Sequence, residues 1–159
     1  MNEEMLFTLL EYSRTSTMQA AKKVKEEYSD FADTIPEGFN NNVRWNLGHI
    51  ATITDQLFNY PAGEKPLLPK PYHKSFSNGT SPKNWNEETP TLDEIIQALE
   101  EQPKQLKEKY AGRLFDPLPK PFQLVGIEFK TLADLLNFNL FHEGLHTGQI
   151  NTMLRTFKK

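Results

Sequence analysis

The sequence predicts an all-α fold: a four-helix bundle with long irregular loops after the second helix and before the fourth. Apolar residues recur at helical spacing in four separate segments, and stretches rich in proline, glycine and asparagine divide these segments. The length of 159 residues, with 37% hydrophobic and 25% charged residues, suits a single globular domain spanning residues 1–159.

The first two helices are predicted from about Glu3 to Tyr28 and from about Val43 to Asn59. Residues 30–42 between them hold a proline, a glycine and a run of asparagines, so we expect a loop there. Pro61 ends the second helix. Both helices are predicted from apolar residues near helical spacing: Leu6, Leu9, Leu10, Met18, Ala21 and Val24 in the first, and Leu47, Ile50, Ile53, Leu57 and Phe58 in the second.

Residues 61–90 are predicted to form a long irregular excursion, because six prolines fall within them. Long loops of this kind in a compact domain are often functional. The aromatic residues Tyr72, Phe76 and Trp85 indicate that the excursion packs against the body of the protein.

The third helix is predicted to start after Thr91, which forms a capping box with Glu94. Pro103 lies inside its apolar pattern and is expected to kink or split the helix. Residues 111–130 are predicted as a second irregular connection. Within it, the sequence FQLVGIEF at 122–129 alternates enough to allow a short strand or a hairpin.

The fourth helix is predicted from Thr131, capped with Asp134, to about Phe157. Its stripe of apolar residues contains two histidines, His142 and His146, which lie one turn apart on the same face. Both imidazoles can therefore reach one metal ion. The alternative is that each histidine is a buried residue bonded to a carbonyl group or to water.

The segment His142-Glu143-Gly144-Leu145-His146 fits the H-E-x-x-H pattern of zinc peptidases. Those enzymes take a third ligand from downstream, but no His, Asp or Glu follows His146. A zinc peptidase is therefore the least favoured interpretation. Glu143 points about 100° away from His142 around the helix. It is a candidate catalytic base, a hydrogen-bond partner of an imidazole, or a residue that contacts solvent or another helix.

His49 on the second helix is the candidate third ligand. A site of His49, His142 and His146 would keep open coordination positions, as catalytic zinc sites do. Several polar or aromatic residues near the histidine faces are candidates for orienting ligands or lining a pocket: Trp45, Asn46, Thr52, Gln56, Asn139 and Gln149. Gly48, Gly144 and Gly148 are expected to let helices approach closely. His73 is expected to be an exposed loop residue, with a position at the entrance of a pocket as the alternative.

The segments WNLGHI (45–50) and FHEGLHTGQI (141–150) resemble the motifs of the DinB-like superfamily, also called DinB/YfiT-like metalloenzymes. The resemblance covers nearly the whole chain. It implies an up-down-down-up four-helix bundle that binds a divalent ion, typically zinc or nickel, through His49, His142 and His146. It also implies a homodimer and, in some members, transfer of a low-molecular-weight thiol such as bacillithiol or mycothiol to an electrophile.

Three functions remain open at this stage. The leading expectation is a metal-dependent thiol transferase. The first alternative is a metal-dependent hydrolase that activates water. The second is a non-enzymatic dimeric binding or structural protein in which a metal ties the second helix to the fourth.

Charge and composition restrict the partners and the location. With 18 basic and 21 acidic side chains, the net charge is −3, and no basic cluster indicates a nucleic-acid or anionic-membrane partner. The N-terminal segment lacks the features of a signal peptide, and no segment approaches the roughly 18 apolar residues of a spanning helix. We therefore expect a cytoplasmic protein. The absence of cysteine excludes disulfides, thiolate ligands and a cysteine nucleophile.

Overall fold

The computed structural model describes residues 2–124 and 126–157. Within these ranges the chain is mostly helical, with five α-helices and a small antiparallel sheet. None of the helices described is long and apolar enough to cross a membrane. The elements are α1 (Glu3–Glu27), α2 (Val43–Asn59), α3 (Lys70–Phe76), α4 (Leu92–Tyr110), β1 (Pro117–Leu124), β2 (Ile127–Thr131) and α5 (Leu132–Thr156), with short 3₁₀ turns at Ser29–Phe31 and Pro82–Asn84.

Each of the four long helices begins at a polar cap. The side chains of Asn2 and Asn42 accept hydrogen bonds from backbone amides in the first turns of α1 and α2. Thr91 and Thr131 form the predicted capping boxes at the starts of α4 and α5. These side chains satisfy amides that have no partner within the helix, so the four predicted helix starts are confirmed.

Helix α3 corrects the prediction that residues 61–90 are irregular throughout. Proline is tolerated in the first turn of a helix, where its missing N–H has no intrahelical partner, and Pro71 occupies that turn of α3. Tyr72 and Phe76, one turn apart, are buried on the body of the protein. Trp85 packs partly buried against the same core, so the prediction that this segment covers the body is confirmed.

Strands β1 and β2 form a hairpin where part of an irregular connection was predicted. The register pairs Phe122 with Phe129 and Leu124 with Ile127, which confirms the hairpin proposed for FQLVGIEF, apart from Val125, which lies outside the described residues. The pairing shifts between Pro117 and Phe122. Alternate prolines in this part of β1 cannot donate to the ladder, which explains the irregular register.

The four long helices bury two apolar clusters. Helices α1 and α2 each pack against both α4 and α5, and the hairpin contacts α5 through β2. One cluster gathers the C-terminal half of α1, the N-terminal half of α2, α3 and the end of α5. The other gathers the N-terminal part of α1, the end of α2, the hairpin and the start of α5.

A polar layer separates these clusters, and Arg14 lies at its centre. The residue is 3% exposed, and its Nε donates to Glu143 Oε1 of α5 at 2.7 Å. It also donates to Gln102 Oε1 and to the Leu99 carbonyl oxygen of α4. Gln102 in turn donates to the Ala51 carbonyl oxygen of α2. One buried network therefore joins all four long helices.

The same network accommodates Pro103. Helix α4 runs unbroken from Leu92 to Tyr110, so of the two expected effects of Pro103, a kink or a split, the split does not occur. Proline lacks the N–H that would bond to the carbonyl four residues earlier, here that of Leu99. Arg14 Nη1 donates to this oxygen at 2.7 Å and thereby satisfies a buried acceptor that the proline leaves open.

We predict that Arg14→Met lowers the free energy of unfolding by about 3–5 kcal/mol, because it leaves Glu143 as an unpaired buried charge. Adding Pro103→Ala restores an N–H for the Leu99 carbonyl. The loss caused by Arg14→Met should then shrink by about 1 kcal/mol, the net worth of one buried hydrogen bond. Urea unfolding of the two single variants and the double variant measures this coupling. Lys22→Met, which removes an exposed charge from α1, is the matched control. Strictly additive effects would contradict the link between Arg14 and Pro103.

Candidate metal centre

The fold brings together the three histidines selected from the sequence. His49 lies on α2, and His142 and His146 lie on α5, which packs against α2. One ring nitrogen of each lies within 4.8 Å of the others, so this histidine cluster could hold a metal ion. The Nε2 atoms of His49 and His142 are 3.2 Å apart.

Neighbouring groups fix the protonation pattern of two of the rings. His49 Nδ1 lies 2.6 Å from the Phe76 carbonyl oxygen, which can only accept, so Nδ1 carries the proton. Asn46 Nδ2 donates to the Asn42 carbonyl oxygen, which leaves Asn46 Oδ1 to accept from His146 Nδ1 at 2.8 Å. In both histidines Nε2 therefore keeps its lone pair for a ligand, the arrangement that supporting hydrogen bonds produce in metal sites.

The histidines are held in the neutral form that binds metals. Burial, helped by the neighbouring His146 and His49, lowers the pKa of His142 to about 3. Burial, together with His49, lowers the pKa of His146 to about 4. Burial also lowers the pKa of His49, although its hydrogen bond to Phe76 opposes this shift. At neutral pH all three rings are uncharged, and a metal ion would not have to displace protons from imidazolium groups.

The donor set fits a zinc-like ion. Zinc binds imidazole nitrogen at about 2.0–2.1 Å, so two such nitrogens in a tetrahedral shell lie about 3.3 Å apart. The separation of 3.2 Å between the Nε2 atoms of His49 and His142 matches that spacing. Three neutral imidazole donors suit zinc, copper, iron and nickel.

Gly48 allows a close contact beside the cluster. A Cβ atom at this position would lie 2.6 Å from the ring of Phe76, whose carbonyl oxygen anchors His49. The prediction of close approach is therefore confirmed for Gly48. It is wrong for Gly144 and Gly148, which are exposed and would place a Cβ with nothing described within 4 Å.

A cavity of about 490 Å³ opens over the three histidines. Trp45 forms one wall, stacked on the His49 ring with centroids 4.4 Å apart, and Gln56 lines it as well. The rest of the apolar wall comes from α2 and the residue that follows it, from the hairpin and from α5: Ile53, Leu57, Tyr60, Phe122, Leu124 and Phe138. The cavity supplies room for a substrate-sized molecule next to the cluster.

Glu143 does not join the cluster. Its carboxylate is fully buried against α1, where it is paired with Arg14 and accepts a hydrogen bond from Thr17 at 2.7 Å. Thr147 completes this group through its contact with Thr17. Of the roles considered for Glu143, the structure displays the contact with another helix.

The other candidate residues divide between the cluster and the layers behind it. Trp45, Asn46 and Gln56 contact the cluster or line the cavity. Thr52 points to the Tyr72 carbonyl oxygen, and Asn139 accepts from Thr54. Gln149 is half-buried and is not among the described residues that line the cavity.

His73 lies on α3 and not in an irregular loop. Its side chain is largely buried, 3.3 Å from the carboxylate of Asp55. It also contacts Gln56, so it supports the cavity wall from behind. Sequence reasoning missed this role and also missed the Phe76 carbonyl group, because a backbone acceptor leaves no mark on residue identity. The alternation of FQLVGIEF indicated a hairpin, but it could not indicate that Phe122 and Leu124 line a cavity over the histidines.

We predict that the metal-free protein loses stability as the pH falls below about 6.5. The pKa values of His142 and His146 in the folded protein lie below the ordinary value of 6.5, so the unfolded chain binds more protons in this range. Their contribution is present above pH 6.5 and is lost as the pH falls toward about 4 and then about 3. Urea unfolding with a chelator present, between pH 7.5 and 4.5, measures it. A variant with His142→Asn and His146→Asn should show a shallower dependence, and an unchanged slope would contradict the neutral buried pair.

Comparison with known proteins gives one family match. A search of curated proteins found no match to the chain. The family model of the DinB superfamily matches residues 9–150, a range that contains all three histidines of the cluster, the whole of α2 and most of α5. Because this match spans most of the 159 residues, the chain belongs to the DinB superfamily.

Proposed function

We propose that this protein is a metal-dependent transferase that joins a low-molecular-weight thiol to an electrophile at the histidine cluster. One observation carries the proposal: His49 and His146 direct unprotonated Nε2 atoms toward a shared point beneath a substrate-sized cavity. Zinc or nickel is the proposed ion. When bound, such an ion lowers the pKa of a coordinated thiol or water molecule.

The side chains around the site have separate tasks in this proposal. Phe76 and Asn46 hold the rings of His49 and His146 in place through their Nδ1 protons. The apolar walls exclude water from the space above the cluster, which strengthens electrostatic interactions inside it. The three neutral ligands leave the full positive charge of an ion to favour an anionic sulfur. The chain lacks cysteine, so the thiol would have to come from a second molecule.

The alternatives differ in what they require from the chain. Hydrolysis would use water activated by the ion, with Glu143 as the base considered from the sequence, but the carboxylate of Glu143 is engaged with Arg14. This observation favours thiol transfer over hydrolysis by Glu143. A purely structural ion would tie α2 to α5, but the open cavity over the histidines favours a reactive site.

The wider arrangement is also proposed from the family. The four long helices would form the up-down-down-up bundle of one domain over residues 1–159. A homodimer is supported by the exposed side chains of Phe141 and Leu145, one turn apart on α5, which are 66% and 57% exposed. A cytoplasmic location agrees with the use of a low-molecular-weight thiol.

We predict that the purified protein, stripped of metal and given back zinc or nickel, binds about one ion per chain. His49→Ala should abolish stoichiometric binding. Asn46→Ala should weaken binding by about 10–100-fold, since it removes only the hydrogen bond that orients His146. Metal analysis after gel filtration and calorimetric titration measure both effects.

His73→Ala is the matched control for metal binding, because it removes a histidine of α3 that lies outside the cluster. This variant should retain its ion. A wild-type protein that is folded but holds no stoichiometric ion would contradict the metal site. So would equal loss of metal in His49→Ala and His73→Ala.

We predict that the zinc- or nickel-loaded protein accelerates S-arylation of a small thiol by 1-chloro-2,4-dinitrobenzene. The thiol sulfur forms a bond to the ring carbon, chloride leaves and the thiol proton goes to solvent. The rate, followed by absorbance, should fall to background in His49→Ala and persist in Gln97→Leu, which changes an exposed glutamine of α4. Hydrolysis of p-nitrophenyl acetate without thiol is the opposing assay. Metal-dependent ester hydrolysis without thiol-dependent arylation would favour the hydrolase instead.

A further inference from the structure

The cavity over the histidine cluster contains no charged partner for a ligand. Among the described residues that line it, none is Asp, Glu, Lys or Arg. Its polar groups are the amides of Asn41, Gln56 and Asn78, the hydroxyl of Tyr60 and the three histidines themselves. A charged group that entered this space would lose water and gain no opposite charge from the chain.

The walls are suited to a flat apolar molecule. Trp45 and Phe138 flank the cluster on two sides: Trp45 stacks on His49, and Phe138 stacks on His142 with centroids 6.3 Å apart. Phe122 and Leu124 of the hairpin add further wall. Aromatic surfaces of this kind bind aromatic or aliphatic groups by burial of apolar area.

A chain of hydrogen bonds fixes the orientation of the Gln56 amide. His73 Nε2 lies 3.3 Å from both the Leu68 carbonyl oxygen and Asp55 Oδ2, and a carbonyl can only accept, so Nε2 carries the proton. His73 Nδ1 then accepts from Gln56 Nε2 at 3.1 Å. Gln56 Nε2 also donates to Ser77 Oγ at 2.8 Å.

These contacts occupy the donor end of the amide. Gln56 Nε2 has two protein partners, and the oxygen Oε1 is the amide atom left for a molecule in the cavity. Rotation of the amide by 180° would place Oε1 against His73 Nδ1, which has no proton to donate, so the contact with His73 fixes the orientation of the amide. The cavity therefore offers an oriented acceptor within an apolar wall.

The geometry points to an uncharged, mainly apolar substrate that donates one hydrogen bond to Gln56 Oε1. This inference rests on the proposed function in one respect: in a thiol transfer, this substrate is the electrophile. An N–H or O–H group close to an aromatic or aliphatic body matches the surfaces present. Gln56 determines specificity, and His73 is a positioning residue that acts through Gln56.

Three probes of nearly equal shape test the inference by ¹⁹F NMR titration of the full-length, zinc-loaded protein. 4-Fluorobenzamide is uncharged and donates N–H. 4-Fluorobenzamidine has the same shape and donors but carries a positive charge. Methyl 4-fluorobenzoate is uncharged and has no donor. None of these probes carries an anionic group that would bind directly to the metal ion. The same titrations are repeated with the metal-free protein.

We expect the amide to bind at least about tenfold more tightly than the amidine, because the charged group is desolvated without a partner. The amide should also bind about two- to tenfold more tightly than the ester, the range expected from one hydrogen bond. Gln56→Leu should remove the preference for the amide over the ester. Gln97→Leu, which changes an exposed glutamine of α4 bonded to Glu101, should leave the preference intact.

A second variant leaves α2 unaltered in case Gln56→Leu does not fold. Leu124→Lys brings a positive charge to the hairpin wall, and Leu124 is only half-buried, so the fold should tolerate it. It should weaken binding of the amide, and in the metal-free protein it should allow 4-fluorobenzoate to bind where the wild type does not.

Several results would overturn the inference: amidine binding as tight as amide binding, equal affinities for amide and ester in the wild type, or a preference for the amide that survives Gln56→Leu. Failure of all three probes to bind a protein that holds stoichiometric zinc would also overturn it, while the proposed metal site would stand. Conversely, selective amide binding by a protein that binds no zinc would support the cavity inference and contradict the proposed function.

Discussion

The arrangement of the helices depends on the buried guanidinium of Arg14. It donates to the carboxylate of Glu143 on α5 and to the carbonyl oxygen of Leu99 and the side chain of Gln102 on α4. Gln102 extends the network to α2. Apolar contacts above and below this layer have no fixed direction, and they tolerate helices that slide or rotate slightly. The ion pair between Arg14 and Glu143 does not tolerate such movement, because a shift that separates the two groups leaves both charges buried without each other.

This constraint explains how α5 serves the core and the histidine cluster with adjacent residues. Consecutive residues of a helix point about 100° apart. Anchoring Glu143 against Arg14 of α1 therefore turns His142 and His146 toward α2 and His49. The glutamate that makes the segment look like a peptidase motif thus contributes to the site through the orientation of the helix. Its carboxylate interacts with α1 and not with the histidines.

The sequence predicted the elements whose causes are local. Thr91 and Thr131 indicate helix starts because each forms a capping box with an acidic residue three positions later. The spacing of four residues between His142 and His146 places both on one face of a helix. The partner of Glu143 could not be predicted in this way, because Arg14 lies 129 positions away. The continuity of α4 at Pro103 depends on the same distant residue, which replaces a hydrogen bond that proline cannot make. The many prolines around α3 predicted an irregular segment and so concealed this helix. The helix forms because Pro71 lies in its first turn, where proline is tolerated.

Burial links the chemistry of the histidine cluster to the selectivity of the cavity above it. The low-polarity surroundings that lower the pKa values of His142 and His146 keep both rings available as neutral ligands. The same surroundings penalise any charge that a ligand would bring, since no described side chain of the cavity wall is charged. An ion held by three neutral imidazoles would then be the dominant charge in the site. The space would select an uncharged molecule on entry and favour negative charge that develops next to the ion during a reaction.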